Sequence, residues 1–189
     1  MGTRASCVLH WHKLARRMRA YPPAFMLIRP EQPEDIAAIH RVVEQAFGQP
    51  DEANLVDKLR ANGKTIVSLV AVENVQIVGH ILFSEATLDA TTIIGLAPLA
   101  VLPSSQKQGI GTLLTKAGID ASRAAGYTAM VVLGHPEYYP RFGFVPASRF
   151  GIRSAYDVRD EVFMALELQP GALANCAGVA KYQAEFNEV

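Results

Sequence analysis

Residues 99–112 read Leu99-Ala-Val-Leu-Pro-Ser-Ser-Gln-Lys-Gln-Gly-Ile-Gly-Thr112, and this stretch joins two contrasting patterns. The run from Thr91 to Leu102, which overlaps the start of this stretch, is apolar and β-branched and predicts a buried strand. After it, apolar residues recur at helical spacing, and Gly126 is placed to end that helix. A strand that enters a helix through glycines predicts a loop whose main-chain N–H groups can approach a ligand closely.

Gly109 and Gly111 lie where the unpaired N–H groups of a helix's first turn favour an anion such as a pyrophosphate. The segment from Gln106 to Thr112 is therefore a candidate phosphate-binding loop. It is not a dinucleotide-binding fingerprint, which would need a third glycine where Leu114 stands, and it lacks the Gly-Lys-Ser/Thr of a P-loop. On spacing alone, a glycine-containing helix start without a ligand is an equal alternative.

The rest of the chain predicts more strands and helices around this segment. The predicted strands are 26–29, 66–73, 76–85, 91–102, 127–133, 142–145 and 162–168, with a possible edge strand at 179–186, and the predicted helices are 33–47, 52–61 and 110–125. Gly95 and Pro98 interrupt the fourth strand and predict a bulge or bend there. Because strands lead, a helix crosses over and strands return, we expect an α+β domain with one mixed sheet.

The charges are unevenly distributed, although their sum is zero. Residues 1–25 contain five basic residues and no acid, whereas residues 26–189 contain 13 basic and 18 acidic residues. We expect 1–25 to be a solvated, flexible extension or a segment upstream of a true start at Met26, with an organelle transit peptide as the alternative. The acidic remainder favours a cationic partner through its electric field.

Composition excludes several classes of protein. The chain has 189 residues, half of them hydrophobic, which suits one folded domain and not a disordered chain. Two distant cysteines, Cys7 and Cys176, do not make a disulfide scaffold, and no apolar run approaches the length of a membrane-spanning helix. The charge balance disfavours nucleic-acid binding. We therefore expect a cytoplasmic domain, monomeric or homodimeric, that binds neither nucleic acid nor membrane.

A second motif, together with the glycine-containing loop, indicates a protein family. Residues 134–144 read Gly134-His-Pro-Glu-Tyr-Tyr-Pro-Arg-Phe-Gly-Phe144, with Tyr139 four residues before Gly143. This segment resembles the Tyr-x-x-x-Gly-Phe element of the GCN5-related N-acetyltransferases (the GNAT family), particularly its YhbS-like branch. The pattern Gln106-x-x-Gly109-x-Gly111 resembles the acetyl-CoA-binding motif of the same family, and the strand and helix order of residues 26–168 is compatible with its core.

The resemblance implies a GNAT fold in which the fourth and fifth strands of a mostly antiparallel sheet splay apart around acetyl-CoA. It implies that the pantetheine pairs with the edge of the fourth strand and that the pyrophosphate lies on the loop. The cofactor-binding residues implied in this way are Leu99, Ala100, Val101, Gln106, Lys107, Gln108, Gly109, Ile110, Gly111 and Thr112. The domain would span residues 26–168, with residues 169–189 packing on it.

The implied reaction is direct transfer of acetyl from acetyl-CoA to a primary amine in a ternary complex. The resemblance assigns Tyr139 as the general acid for the leaving thiolate, with packing against its aromatic neighbours as the alternative. Tyr138 is expected to pack. The acceptor is expected to be a cationic small molecule, such as a polyamine or an aminoglycoside, or an amine on a protein.

Two features depart from the family pattern. An Asn that many members place after the fifth strand is replaced here by Gly134-His135. The fourth strand also has no carboxylate, so no residue is assigned as the general base. The first candidates are His80 or Glu137, and the lesser candidates are Glu52 and Glu85. No residues have metal-ligand spacing. These departures leave a second possibility, an acyl-CoA-binding regulatory module without turnover.

Overall fold

A computed structural model describes residues 26–89 and 91–188, so the basic extension expected at 1–25 lies outside the described residues. The strands are β1 (Met26–Pro30), β2 (Thr65–Glu73), β3 (Gln76–Leu88), β4 (Thr91–Val101), β5 (Ala129–Leu133), β6 (Val145–Pro146), β7 (Ile152–Ser154), β8 (Phe163–Glu167) and β9 (Gly178–Lys181). The helices are α1 (Ile36–Phe47), α2 (Asp51–Ala61) and α3 (Ile110–Ala124). Short 3-10 helices occupy several of the connections.

The strands form one sheet in the order β1-β2-β3-β4-β5-β8-β6, with β9 pairing with both β3 and β7. Only β4–β5 and β7–β9 are parallel pairs, so the predicted mixed and mostly antiparallel sheet is confirmed. Helices α1 and α2 cover one face, where Leu82 of β3 is buried, and α3 covers the other, where Ile81 and Phe83 are buried. This division follows from the alternation of side chains along a strand.

Close packing of α3 on the sheet depends on Gly118. This glycine faces the ring of Phe83 in β3, and an added Cβ would overlap that ring. Leu114 and Ile119 are buried in the same core cluster on either side of it. The first turn of α3 is therefore held at a fixed position over the centre of the sheet.

The fourth strand has a bulge where Gly95 and Pro98 predicted a bulge or a bend. Phe83 is opposite Leu96, but Ile81 is opposite Leu99, so β4 contains one more residue than β3 over this interval. The parallel pairing of β4 with β5 ends at Leu96 and Val132. Beyond that point, no strand among the described residues pairs with residues 97–101 of β4 on the β5 side, and the two strands diverge as expected.

Two predicted strands are shorter than expected. Residues 139–142 form a 3-10 helix, because Pro140 has the φ of a first helical turn and Gly143, with a φ of 95°, ends it. The strand predicted at 142–145 is therefore reduced to Val145–Pro146. The segment 179–186 pairs with β3 only through its first residues and then turns into a 3-10 helix at Ala184–Glu188.

The last described segment packs on the domain beside α2. Thr87 and Leu88 of β3 extend past the end of β2, and β9 pairs with them there. Farther on, Asn62 Nδ2 donates a hydrogen bond of 2.8 Å to the buried carboxylate of Glu185. Tyr182 and Phe186 are thereby brought next to β4 and α2.

Candidate active site

The loop before α3 leaves a set of main-chain donors without partners. Leu113 N–H makes the first bond of the helix, to the carbonyl of Gly109, so the N–H groups of residues 110–112 have no acceptor within it. Gly109 has a φ of 86° and Lys107 a φ of 62°, and these two left-handed residues turn the chain into the helix. Gln106 Nε2 donates to the carbonyl of Val101 at 3.0 Å and ties the loop to β4.

A first cavity of about 670 Å³ lies between this loop and the segment after β5. Its lining includes eight of the ten predicted cofactor-binding residues: Leu99, Val101, Gln106, Lys107, Gly109, Ile110, Gly111 and Thr112. Ala100 and Gln108 do not line it; the Ala100 side chain is buried on the α1–α2 face of the sheet. Lys107 and Arg141 bring positive charge to the cavity, and no carboxylate is among its described lining residues. These properties suit a ligand with phosphate groups.

Tyr138 closes one side of the first cavity by packing on α3. An added Cβ on Gly111 would lie 2.8 Å from the Tyr138 hydroxyl, which is 3.4 Å from Thr115 Oγ1. Because Thr115 donates to the carbonyl of Gly111, Tyr138 is the donor to Thr115. The guanidinium of Arg141 lies 4.0 Å from the centre of the Tyr138 ring, in cation–π geometry. Tyr138 therefore holds Arg141 at the edge of the cavity.

A second cavity of about 520 Å³ adjoins the first on the side of α1 and α2. Five residues line both cavities: Leu99, Val101, Gln106, His135 and Tyr139. The second cavity extends from this shared wall to the α1–α2 connection and to the last described segment. The diverging part of β4 thus borders both cavities through Leu99 and Val101, and the bulge residues Ala97 and Pro98 line the second one.

Tyr139 belongs to the wall between the two cavities. Its ring packs edge-on against Tyr138 and Phe144, at centroid distances of 5.0 and 5.6 Å, and only 6% of the residue is exposed. An added Cβ at Gly134 would overlap the ring, so the glycine that replaces the expected Asn is required by this packing. Burial, with a smaller contribution from Tyr138, raises the pKa of Tyr139 well above its ordinary value of 10. The phenol is therefore protonated at neutral pH.

Comparisons of sequence and of fold show which known proteins this chain resembles. A family model described as the acetyltransferase (GNAT) domain matches residues 64–146. The uncharacterized N-acetyltransferase YhbS of Escherichia coli K12 is 34% identical over 165 residues, which are 86% of this chain and 99% of YhbS. The chain belongs to the GNAT family. This membership confirms the family that the two motifs predicted, and the GNAT chain is an acyltransferase by class.

Other relatives of this GNAT protein agree. The uncharacterized N-acetyltransferase YjhQ of Escherichia coli K12 is 40% identical over 134 residues, 67% of this chain and 74% of YjhQ. The crystal structure of YhbS in complex with CoA has a TM-score of 0.85 at 33% identity and covers 88% of this chain and 94% of YhbS. A GNAT acetyltransferase from Brucella melitensis in complex with acetyl-CoA has a TM-score of 0.73 at 35% identity, covering 86% and 99%.

The first candidate base, His80, lies away from both cavities of this GNAT domain. It is fully buried on the α1–α2 side of the sheet, where its Nε2 is 2.8 Å from Ser68 Oγ. Ser68 donates to Glu31, so it accepts from His80 Nε2–H, and His80 Nδ1 has no hydrogen-bond partner among the described residues. Burial lowers the pKa of His80, which outweighs the opposing effect of Glu31. His80 is therefore a neutral part of an enclosed network.

Glu31 is the acidic centre of that network. Burial opposes its ionisation, but the neighbouring His80, Arg60 and Ser68 outweigh that cost and lower the pKa of Glu31 to about 2. Arg60 donates to both oxygens of Glu31 and also bonds Asp57, which in turn contacts His40 Nδ1 at 2.7 Å. The network joins β1, α2, β2 and β3 beneath the site.

The other three candidate bases are carboxylates, and they differ in whether they line a cavity. Glu137 is exposed and lines neither cavity. Glu85 accepts a hydrogen bond of 2.8 Å from Tyr127, and burial together with this bond raises the pKa of Tyr127 to about 12. Glu52 lies at the start of α2 and lines the second cavity. Of the four candidate bases, only Glu52 is brought to a cavity.

Several lining residues were not predicted from the sequence. Arg141 of the first cavity and Tyr156, Tyr182 and Phe186 of the second were not named as site residues. The Arg within the Gly-His-Pro…Gly-Phe motif was a signal for the first of these. Within residues 26–89 and 91–188, no group of three His, Cys, Asp or Glu side chains is placed to hold a metal ion. No helix in this part of the chain is long and apolar enough to cross a membrane.

Proposed function

We propose that this GNAT protein transfers acetyl from acetyl-CoA to a primary amine by direct attack in a ternary complex. One observation carries the proposal: two cavities meet at the diverging edge of β4, with Tyr139 in their common wall. A transferase that binds both substrates at once needs two adjoining sites. The solved relatives that contain CoA or acetyl-CoA support the identity of the donor.

Acetyl-CoA occupies the first cavity in this proposal. The pyrophosphate accepts from the free N–H groups of residues 110–112, with Lys107 and Arg141 adding charge. The pantetheine extends the sheet along residues 99–101, with which no described strand pairs on the β5 side. This arrangement brings the thioester to the wall that the two cavities share.

The chemistry then needs few groups from the protein. The neutral amine attacks the thioester carbonyl, and a main-chain N–H near Val101 stabilises the oxyanion. As the tetrahedral intermediate collapses, the C–S bond breaks and the CoA thiolate takes a proton from Tyr139. The nitrogen of the new amide loses its surplus proton to solvent, and the Tyr139 phenolate takes a proton back from solvent before the next turnover. Positioning of the two reactants supplies much of the rate.

Binding of acetyl-CoA and release of its thiol test the proposal. At about 100 times the dissociation constant, acetyl-CoA stabilises the fold by about 2.7 kcal/mol. The melting temperature should then rise by about 5–10 °C, whereas adenosine, which lacks pyrophosphate and pantetheine, should have little effect. Thiol release that depends on an added amine distinguishes a transferase from an acyl-CoA-binding module without turnover. The names of the relatives, which are N-acetyltransferases, do not favour the binding module. An unchanged melting temperature at millimolar acetyl-CoA would contradict the proposal.

The proposed function also bears on the cellular location and the oligomeric state of the protein. Acetyl-CoA is an intracellular metabolite, which supports a cytoplasmic protein. The lining residues of both cavities come from one chain, which supports a monomer, or a homodimer whose protomers each hold a complete pair of cavities.

A further inference from the structure

The second cavity has a lining of unusual composition for a site that accepts an amine. Five aromatic side chains line it: Phe47, Tyr139, Tyr156, Tyr182 and Phe186. Aliphatic residues fill most of the remaining wall, and the described lining contains no Lys or Arg. Apart from Glu52, its only titratable side chains are His135 and the three tyrosine hydroxyls.

Glu52 is available for a cationic ligand. Its carboxylate is partly exposed and is bonded to the side-chain amide of Gln49, at 3.2 and 3.3 Å. No Lys or Arg in the described residues forms an ion pair with it, although other acids nearby, such as Asp57, are paired. A carboxylate that faces a cavity without a counter-charge attracts an ammonium ion.

The apolar wall faces the space beside Glu52. Phe47 is 41% exposed and Leu133 is 40% exposed, although both are large hydrophobic residues that line the cavity. Tyr182 and Phe186 form a tilted aromatic pair with a centroid distance of 4.9 Å. Exposed apolar side chains of this kind gain by covering the apolar body of a ligand, and aromatic faces also attract a cation.

One polar atom in this wall has no partner. The Tyr182 hydroxyl is enclosed, lies near the main-chain N–H of Leu133, and forms no hydrogen bond of normal geometry with a described residue. Burial raises the pKa of Tyr182, so the hydroxyl is protonated and can donate. A buried polar group without a partner is costly, and its side chain is held in the wall by packing against Gly95.

We infer that the acceptor is a small primary amine with a single ammonium group on an aromatic or branched aliphatic body. The ammonium binds at Glu52 and loses one proton to solvent before the neutral amine attacks, and the body lies among Phe47, Tyr182 and Phe186. This inference rests on the proposed function and narrows its substrate. Polyamines and aminoglycosides fit poorly, because their further charges would lie unpaired against apolar walls. The amide product is neutral, so it no longer attracts Glu52 and can leave.

Steady-state kinetics at saturating acetyl-CoA tests this substrate class, with amine-dependent thiol release as the signal. The probes are phenethylamine, spermidine and Nα-acetyl-lysine methylamide. We expect kcat/KM for phenethylamine to exceed that for each other probe by about tenfold, which is about 1.4 kcal/mol. Glu52→Gln should raise the KM for phenethylamine about tenfold and leave the KM for acetyl-CoA unchanged. Phe47→Ala should reduce the preference for phenethylamine.

Glu44→Gln is the matched control, since Glu44 is an exposed acid of α1 that lines neither cavity. It should leave all kinetic constants unchanged. Better turnover of spermidine or of the lysine derivative overturns the inference, and so does an equal response to Glu52→Gln and Glu44→Gln. Either result leaves the proposed function standing. Failure of all amines to release thiol, with or without acetyl-CoA binding, overturns the proposed function itself.

Discussion

Tyr139 packs against Gly134, Tyr138 and Phe144, yet it also borders both cavities. If its hydroxyl protonates the leaving thiolate, Tyr139→Phe removes the proton donor and keeps the ring that packs. We expect kcat to fall by about 100-fold, a typical contribution of general acid catalysis. The acetyl-CoA-induced rise in melting temperature should be unchanged. Stopped-flow or steady-state thiol release measures the first effect, and thermal melting measures the second.

Tyr127→Phe is the control for that variant, because Tyr127 donates to Glu85 and lines neither cavity. It should keep the full kcat. Equal rates for wild type and Tyr139→Phe would assign Tyr139 to packing alone.

At this scale, most residues that the sequence analysis named lie in two local motifs, whereas Arg141 of the second motif and Tyr182, which lies in neither, were not named. Gln106, Gly109, Gly111 and Tyr139 lie within two short segments whose spacing is informative. Tyr182 reaches the site through the pairing of β9 with β3, which is distant along the chain, and no local pattern indicates that pairing. His80 was a candidate base because histidines often act as bases, and only the fold places it in an enclosed network.

Helix α3 positions the loop through its contact with β3, and Gly118 is the residue that permits the contact. In a helix interior, Gly→Ala ordinarily stabilises by about 1 kcal/mol. At Gly118 the added methyl overlaps the Phe83 ring, and overpacking of this kind costs about 1–3 kcal/mol. We therefore expect Gly118→Ala to lower the free energy of unfolding, measured in urea, instead of raising it.

Lys116→Ala is the control for helix propensity, since Lys116 is exposed on the same helix. It should change the free energy of unfolding by less than about 0.5 kcal/mol. Adding Phe83→Leu to Gly118→Ala should restore part of the loss by making room for the methyl group. A stabilised Gly118→Ala protein would show that the ring moves aside without cost.

At the scale of elements, periodicity predicted the long helices and the β2–β3 hairpin, whose apolar spacing is regular. The bulge in β4 was also predictable, because Gly95 and Pro98 interrupt an otherwise continuous strand. The short strand β7 was not, since three residues carry no measurable period. The strand predicted at 142–145 only overlaps β6, which is two residues long. Pro140 and Gly143 mark a turn of helix that the apolar residues around them conceal.

The whole molecule is expected to lose stability in acid through the network of Glu31 and His80. The pKa of folded His80 lies below its ordinary 6.5, so below pH 6.5 the unfolded chain binds a proton that the folded protein does not. At neutral pH, His80 is uncharged in both states and adds no penalty; below pH 6.5 only the unfolded chain takes up its proton, so a penalty grows as the pH falls. The stabilisation from Glu31, with its pKa lowered to about 2, is fully present at neutral pH and is lost as the pH falls from 4.5 to 2. The free energy of unfolding in urea should therefore fall as the pH drops below 6.5, by up to about 1.4 kcal/mol per pH unit.

His80→Gln should flatten the curve over pH 6.5–5, because glutamine does not titrate. His135→Gln is the matched control, since His135 is exposed in the loop after β5, and its curve should follow the wild type. Parallel curves for wild type and His80→Gln would mean that another group causes the acid sensitivity.

The wall shared by the two cavities has a consequence for inhibitor design. Because Leu99, Val101 and Tyr139 line both cavities, the two substrates would meet at these residues. A molecule that links the sulfur of CoA to an aromatic amine through a short spacer would occupy both cavities at once. Its second half would bind as an intramolecular event, at a high effective concentration. The amine half of such a bisubstrate compound would bind in the second cavity, where Glu52 and the aromatic side chains suit an aromatic amine.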